Sequence, residues 1–326
     1  MSSDPEQVAR TVRAIRDLPG PLVVACSGGG DSIALAALAR EARADVVLAH
    51  VHHHLRPGAH LDEAAVVAAG ASLGVVVRRL HVDPRAIRRD TGGLEAGARH
   101  ARYTTLTGVC RRLDGALLTA HHAGDHLETV AMRMATGAGL GALDGPRQSI
   151  VLDGVTVHRP LRRWWPEQLR AYARERALHY REDPTNTDRA RLRNRVRAEV
   201  VPAWRGVSSG DALLRSLERV DEDALVLRTL VGRLCGEVLC STSQHSVTLD
   251  RAALRALEPA LRRAVVHDAC RRIDGLRVTQ RFTTEIAEFA GLGGRRVAME
   301  HRGRAEIRDA EVVIARVDDP RAPLPS

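Results

Sequence analysis

Pro21–Ser32 reads PLVVACSGGGDS and decides the fold, since it joins an apolar run to a glycine-rich turn. The run Pro21–Ala25 predicts a buried strand, and Asp31–Ala44 carries apolar residues at helical spacing. A strand, a tight glycine loop and a helix in this order are typical of the phosphate-binding unit of α/β proteins, because backbone N–H groups at the helix start attract anions.

The same alternation continues on the C-terminal side of this segment. Further strands are predicted at Asp45–His50, Val75–Leu80, Gly115–Thr119 and Val155–Leu161, and further helices at His60–Ser72, Leu94–Arg112, His126–Thr136 and Trp165–Ala177. Strands that alternate with helices predict the α/β class, with a doubly wound, mostly parallel sheet covered by helices on both faces. Such sheets bind ligands at the carboxyl ends of their strands.

The pattern changes after about Ser209. Helices are predicted at Asp211–Cys235, Arg251–Ile273 and Thr283–Ala290, and short strands in hairpins within Arg295–Val317. We therefore predict a boundary near Val207–Gly210. It separates an α/β domain of residues 1–208 from a mainly helical domain of residues 209–317 with short terminal strands. The Pro-rich residues 318–326 are expected to form a disordered tail.

Lysine is absent from the 326 residues, so all 49 basic side chains counted as Lys or Arg are Arg. This excludes phosphate loops that depend on a lysine, Schiff-base chemistry and pyridoxal phosphate attachment. The net charge of +9 and the pI of about 10.4 favour an anionic partner such as nucleic acid. Aromatic residues make up 2% of the chain, which argues against a wide platform for base stacking.

The five cysteines form no CxxC pair, which excludes a zinc ribbon and an iron–sulfur site of that spacing. Their odd number favours reduced thiols and therefore a cytoplasmic location. The charged start of the chain has no apolar signal core, and no apolar run is long enough to span a membrane. We expect a cytoplasmic protein without a membrane partner.

The glycine loop is predicted to hold a nucleotide through Ser27, Gly28, Gly29, Gly30, Asp31 and Ser32. Glycines lack Cβ atoms, so phosphate oxygens can approach the backbone N–H groups, and the two serines offer hydroxyl donors. A carboxylate repels phosphate unless a cation lies between them, so Asp31 is predicted to be a Mg²⁺ ligand. The alternative is a plain glycine turn in which Asp31 caps the helix.

A second candidate segment, Leu118–Glu128, reads LTAHHAGDHLE and enters a helix after the fourth predicted strand. Asp125 and Glu128 are three residues apart and share a helix face, with His121 and His122 shortly before them. Carboxylates beside imidazoles suit Mg²⁺ binding, amine recognition or proton transfer. The alternatives are that Asp125 is a helix cap and that His126 lies on the surface. The adjacent histidines lack a convincing zinc-ligand spacing.

SGGGDS resembles the PP-loop of the ATP-pyrophosphatase superfamily, whose members adenylate a substrate and whose loop needs no lysine. Five further ordered motifs are found at His52–Ala64 (HHHLRPGAHLDEA), Leu94–Tyr103 (LEAGARHARY), Arg159–Leu161 (RPL), Glu182–Asp188 (EDPTNTD) and Arg193–Arg197 (RNRVR). Together, over about residues 20 to 205, they resemble the short form of the tRNA(Ile)-lysidine synthases. That family converts the wobble cytidine of a CAU anticodon to lysidine.

The resemblance implies an ATP-dependent ligase that joins free L-lysine to the wobble cytidine of tRNA(Ile) through an adenylated cytidine. It makes ATP and Mg²⁺ the cofactors, residues 1–208 the PP-loop catalytic domain, and a homodimer the expected assembly. Positions implicated in catalysis and lysine binding fall on Arg102, His121, Asp125 and Glu128. The chain departs from the family's pattern at three positions. Gly124 and His52 stand where Asp or Asn is usual, and Gly93 stands where Asn is common.

Arg159–Arg197 holds 12 arginines against five acidic residues, a net charge of +7. A run of charge is often only a solvated face, but beside an adenylating site it favours contacts with RNA phosphates. We therefore predict that Arg193, Arg195 and Arg197 contact the anticodon stem. Rival functions are a PP-loop tRNA thiolase, which needs paired cysteines, a PP-loop amidotransferase-type synthetase for a small carboxylate, and a non-catalytic RNA-binding module.

Overall fold

A computed structural model describes residues 4–55, 58–90, 93–181, 188–276, 278–292, 294–300 and 302–317. The chain divides into two compact units between Glu222 and Asp223. The predicted tail 318–326 and residues 182–187 of the EDPTNTD turn cluster lie outside the described residues.

The first unit contains a six-stranded sheet in the order β3-β2-β1-β4-β6-β5. Its strands are β1 Leu22–Ala25, β2 Val46–His52, β3 Val76–His81, β4 Ala116–Leu118, β5 Ser149–Leu152 and β6 Val155–His158. The pairs from β3 across to β6 are parallel, and only β5 runs antiparallel to its neighbour. The predicted α/β class with a mostly parallel sheet is confirmed.

Strand β5 was not predicted. It forms a hairpin with β6 through Asp153 and Gly154, which both have positive φ values of 49° and 78°. A two-residue Asp-Gly loop of this kind matches the right-handed twist of the flanking strands, so the dipeptide itself carried a usable hairpin signal.

The helices of the first unit surround this sheet. They are α1 Pro5–Arg16, α2 Gly30–Ala42, α3 Ala59–Leu73, α4 Pro84–Arg88, α5 Leu94–Leu113, α6 Ala123–Ala135, α7 Pro166–Glu175, α8 Leu192–Arg195 and α9 Val201–Val207, with a 3₁₀ turn at Leu140–Ala142 and a π-helical turn at Val196–Val200. Helices cover both faces because the side chains of β1 alternate between two buried clusters. Leu22 and Val24 pack with α1, α2 and α7, whereas Val23 packs with α5 on the opposite face.

The order of the strands reverses at β1. The chain adds β2 and then β3 on one side of β1, and then crosses to place β4 on the other side. At such a reversal the loops after the two central strands leave in opposite directions and open a crevice at the carboxyl edge. The loops after β1 and β4, which carry the two candidate segments, therefore flank one crevice.

The long helix α10, Gly210–Val238, contains the division between the units. Its first turns contribute Leu214 and Leu217 to a buried cluster with Ala123, Leu127 and Trp165. This packing explains why the contacts divide after Glu222 although the sequence pattern changes near residues 207–210. Among the helices of the described residues, none is both long and apolar enough to cross a membrane.

The second unit contains a five-stranded antiparallel sheet in the order β7-β8-β11-β10-β9. Its strands are β7 Leu239–Thr242, β8 Ser246–Asp250, β9 Arg296–Glu300, β10 Gly303–Ile307 and β11 Glu311–Arg316, and its helices after α10 are α11 Arg251–Ala256, α12 Pro259–Cys270 and α13 Gln280–Gly291. The hairpin β7–β8 was not predicted, so this unit carries more sheet than the sequence indicated.

A buried hydrogen bond joins α1 to the core of the first unit. Trp164 is 1% exposed, and its Nε1 donates to Thr11 Oγ1 at 2.9 Å. We predict that Thr11→Val lowers the free energy of unfolding by about 1–3 kcal/mol, because valine keeps the shape of threonine but leaves the buried indole N–H without this acceptor. Chemical denaturation measures the change. Thr11→Ser, which keeps the hydroxyl, is the matched control, and equal loss in both variants would contradict the role of the hydrogen bond.

Candidate active site

The glycine loop is wrapped around the hydroxyl of Ser32. This oxygen accepts a hydrogen bond from Ser27 N at 3.2 Å, lies 3.2 Å from Ser27 Oγ and donates to Gly29 O at 2.8 Å. Ser32 is 5% exposed, so its side chain shapes the loop from within. Residues 29–31 are partly exposed and form the N-terminus of α2, where helical N–H groups have no intrahelical acceptor.

Space and backbone conformation require glycine at position 28, and a Cβ at position 30 would be tightly packed. Gly28 has a φ of +90°, and a Cβ atom there would lie 2.7 Å from the carbonyl oxygen of Asp62. A Cβ on Gly30 would lie 3.2 Å from two ring atoms of Tyr180. The glycines therefore let Asp62 and Tyr180 pack closely against the loop.

A clamp that the sequence analysis missed holds the loop from the side. Arg181 donates its backbone N–H to Gly28 O at 3.0 Å, and its Nη1 lies 2.7 Å from Asp62 Oδ1 and 3.0 Å from Gly58 O. On the strand side, His50 Nδ1 donates to Cys26 O at 2.9 Å. Arg181 and Asp62 are 119 residues apart, so no local pattern could have paired them.

The second segment forms the start of α6, where His122 is the N-cap. His122 N donates to Asp125 Oδ2 at 3.0 Å, and Asp125 N donates to His122 Nδ1 at 3.2 Å, which completes a reciprocal capping box. The other ring nitrogen, His122 Nε2, lies 3.4 Å from Asp31 Oδ2. One imidazole thus connects the two candidate segments across the crevice.

The ionisable groups of this bridge shift one another's pKa values. Burial opposes a charge on His122, but the carboxylates of Asp125 and Asp31 outweigh it and raise the pKa of the imidazole. Burial likewise raises the pKa of Asp125, yet His122 and Arg193 overcome it, so the pKa of this carboxyl is lowered. Asp125 is therefore a carboxylate at neutral pH, and His122 carries a proton more readily than a free imidazole.

Gly124 lies against this imidazole. A Cβ at this position would stand 2.9 Å from His122 Cε1 and 3.2 Å from Pro166 Cγ. The absence of a side chain at Gly124 thus leaves room for the bridging ring.

Glu128 is 2% exposed and is bound by two guanidinium groups. Arg193 Nε lies 2.7 Å from Oε2, and Arg197 Nε lies 2.5 Å from Oε1. Arg193 Nη2 also reaches Asp125 Oδ1 at 2.5 Å. Two carboxylates and two arginines thus form one ion-pair network beside the His122 bridge.

The arginines of the RNRVR motif contact the candidate site itself. Arg193 and Arg197, which are predicted to contact RNA, both bind Glu128 while their side chains stay 40% exposed, and their RNA contact stays a prediction. Their four-residue spacing places them on the same side of the continuous helical stretch from α8 through the π-helical turn. Arg195 is exposed, and its contact with RNA stays a prediction.

Arg102 and His121 lie in the same electrostatic environment. His121 Nδ1 is 3.0 Å from Thr119 Oγ1, and burial, reinforced by Arg159 and Arg102, lowers the pKa of His121 to about 3. Burial and the Arg102 charge also lower the pKa of His53 to about 4. His121 is therefore a neutral hydrogen-bonding group at physiological pH. His53 is a neighbour that the sequence analysis did not select.

The alternative that places His126 on the surface is wrong. The residue is 2% exposed, with Nδ1 3.1 Å from Arg162 Nη2 and Nε2 3.1 Å from Asp221 Oδ1. His126 lies on the buried side of α6, and its polar partners Arg162 and Asp221 come from distant segments of the chain.

Comparison with known proteins places these features in a family. A family model for the PP-loop domain matches residues 6–204. The tRNA(Ile)-lysidine synthase of Salinispora tropica is 37% identical over 280 residues, which cover 82% of this chain and 82% of that protein. The tRNA(Ile)-lysidine synthase of Thermus thermophilus is 41% identical over 219 residues, which cover 66% of this chain. The chain matches only 42% of the length of this Thermus protein.

A solved structure of another protein is similar to this chain in fold. The U34-tRNA thiolase NcsA from Methanococcus maripaludis, determined with its 4Fe–4S cluster, aligns with a TM-score of 0.53. The alignment covers 67% of this chain and 78% of the thiolase at 16% identity. At this identity the likeness concerns the fold alone.

The depressed pKa of His121 predicts a pH effect on stability. The unfolded chain takes up this proton near pH 6.5, whereas folded His121 resists protonation down to about 3. Its contribution to stability is therefore complete above pH 6.5 and is lost as the pH falls from 6.5 towards 3.

His121→Gln removes the titratable imidazole. As the pH falls from 6.5 towards 3, the free energy of unfolding of this variant should therefore fall less steeply than that of the wild type. Denaturant titrations at half-unit pH steps measure both slopes. Identical slopes in the two proteins would contradict the burial of a neutral imidazole.

Proposed function

The chain belongs to the tRNA(Ile)-lysidine synthase family of PP-loop proteins, and on that premise we propose that it ligates free L-lysine to the wobble cytidine of a tRNA(Ile) with a CAU anticodon, using ATP. The observation that carries the proposal is the contact between Asp31 and His122, since it joins a phosphate cradle to a second polar site in one crevice. A nucleotide and a second substrate can therefore meet there.

The loop residues fit the phosphates of ATP. Gly29 is the N-cap and Gly30 the first residue of α2, whose positive end suits phosphate oxygens. Asp31 has a side chain 44% exposed, as a ligand of a solvent-accessible Mg²⁺ requires. When bound by Asp31, Mg²⁺ would neutralise phosphate charge.

The first proposed step is adenylation. The 2-carbonyl oxygen of cytidine attacks the α-phosphorus of ATP, and the bond to pyrophosphate breaks. The protein contributes position: the loop orients the triphosphate, and His122 contacts Asp31 at the start of α2. Adenylation converts a poor leaving oxygen into AMP.

The second proposed step is attack by the ε-amine of free lysine on carbon 2 of the activated cytidine. AMP leaves with the former carbonyl oxygen, and the amine gives up its proton. Asp125 is the better candidate for holding the lysine ammonium, because its side chain is 14% exposed and its lowered pKa keeps it a carboxylate. Glu128 is enclosed by guanidinium groups, which suits it to positioning Arg193 and Arg197.

The other site residues take supporting roles in this proposal. Arg193 and Arg197 keep partly exposed guanidinium groups that can contact substrate phosphates. His121 is too weak a base for proton transfer at neutral pH, so we assign it a hydrogen-bonding role with Arg102 as a nearby permanent cation. A cytoplasmic location follows from the tRNA substrate, and homodimer formation stays a prediction of the family resemblance.

The rival functions receive less support. A thiolase of this fold would use reactive cysteines, but Cys26 and Cys110 are buried, and burial raises the pKa of both thiols. A non-catalytic RNA-binding module would bind tRNA without forming AMP or pyrophosphate. The synthetase for a small carboxylate would show no dependence on tRNA.

We predict that Asp31→Ala and Asp125→Ala each abolish AMP formation that depends on both tRNA and lysine. The first variant loses the proposed cation ligand, and the second loses both the ammonium partner and the capping box. Release of labelled AMP measures turnover, and mass spectrometry of the wobble base identifies the product. Asp17→Asn, at an exposed position after α1, is the control. Near-normal turnover in either alanine variant, or a product other than lysidine, would refute the assignment.

RNA contact by Arg195 is tested separately. Arg195→Glu is expected to weaken tRNA binding and to reduce the slope of log affinity against log salt by about 1, because one phosphate contact is lost. Filter binding at several salt concentrations gives both values. Arg13→Glu, an exposed charge reversal on α1, makes the same change in net charge. An unchanged slope in Arg195→Glu, or an equal change in both variants, would rule out a specific contact.

A further inference from the structure

We propose that His52, His54 and His81 bind a divalent transition-metal ion of the zinc class. One side-chain nitrogen from each of these residues lies within 4.8 Å of the others. His54 Nε2 and His81 Nδ1 are 3.1 Å apart, and the rings of His52 and His54 have centroids 4.0 Å apart. Ligand nitrogens about 2.0–2.1 Å from one tetrahedral ion lie at similar separations, so small movements would complete the site.

Two stretches of backbone supply these histidines, the end of β2 with its following loop and the end of β3. His52 ends β2, His54 lies in the loop that follows, and His81 ends the neighbouring parallel strand β3. His52 pairs directly with His81 in the register of the two strands. The cluster is therefore anchored on the sheet at two points, and an ion would fasten the loop after β2 to the edge of β3.

An acidic side chain completes the arrangement. Glu63 Oε2 lies 3.7 Å from His81 Nε2, on the side of the ring opposite the nitrogen that faces His54. A carboxylate behind a ligating imidazole fixes the ring and increases its basicity, which is the usual outer partner of a metal-bound histidine. The Glu63 side chain is 17% exposed, so it is held in place beside the ring.

The donor set selects the kind of ion. Imidazole nitrogens suit zinc, copper, nickel and cobalt, whereas Mg²⁺ prefers oxygen ligands and retains its water. The cluster thus differs in chemistry from the proposed Mg²⁺ ligand Asp31. It also lies outside the set of residues to which the proposed ligation reaction assigns a role.

His54 offers a variant that should fold well. Its φ of 54° is in the left-handed region, where a histidine is strained and a glycine is not. His54→Gly removes one ligand while relieving this strain, so its melting temperature without metal should equal or exceed that of the wild type.

The test uses the whole 326-residue chain after treatment with a chelator and dialysis. Isothermal titration with ZnCl₂ should give one saturable equivalent in the wild type, and zinc should raise the melting temperature. Titration with Co²⁺ should give the visible bands of a four-coordinate nitrogen and oxygen site without a thiolate charge-transfer band. MgCl₂ should give none of these signals.

His54→Gly and His81→Ala should each lose the zinc-dependent rise in melting temperature, and Glu63→Gln should weaken binding about tenfold or more. His245→Ala, which removes an exposed histidine from the second unit, should bind as the wild type does. The proposal is overturned if the wild type shows no saturable zinc equivalent, if His54→Gly binds equally tightly, or if cobalt reports thiolate ligation.

Discussion

The parallel pairing of β1 with β4 is the constraint on which the candidate site depends. The register aligns Leu22 with Ala116 and Val24 with Leu118, so both strands end at the same edge of the sheet. These short strands are held by burial, and the three paired residues of β1 are fully enclosed. Hydrophobic packing on two faces thus determines where Asp31 and His122 meet, although neither residue belongs to the core.

The charges of the site follow from a second constraint, which is the burial of Glu128. A carboxylate removed from water needs opposite charge and hydrogen bonds to compensate for its lost hydration. Arg193 and Arg197 provide both, and the planar guanidinium allows two contacts from one side chain. Arg193 and Arg197, which were predicted to contact RNA, therefore also stabilise the site itself.

Local patterns predicted much of the first unit. The alternation of apolar strands and helices indicated the sheet class, and the glycine loop and the LTAHHAGDHLE segment indicated the two sides of the crevice. The contacts that local patterns did not predict join residues that are distant in the sequence. Arg193 binds Glu128 across 65 residues, and His126 is buried beside Asp221. Strand β8 reads SVTLD, and its alternating Val247 and Leu249 are buried, so this short strand pattern was present in the sequence and was missed.

The all-arginine composition has a consequence for the alkaline behaviour of the site. Lysine amines lose their charge in moderately alkaline solution, whereas the pKa values of Arg193 and Arg197 are raised further by the carboxylates they contact. Arg193 and Arg197 therefore keep their positive charge at alkaline pH values at which a lysine would already be neutral. In the alkaline range, the amine that changes charge at this crevice would be that of the incoming amino acid, so a basic limb in a pH–rate profile would report on the nucleophile.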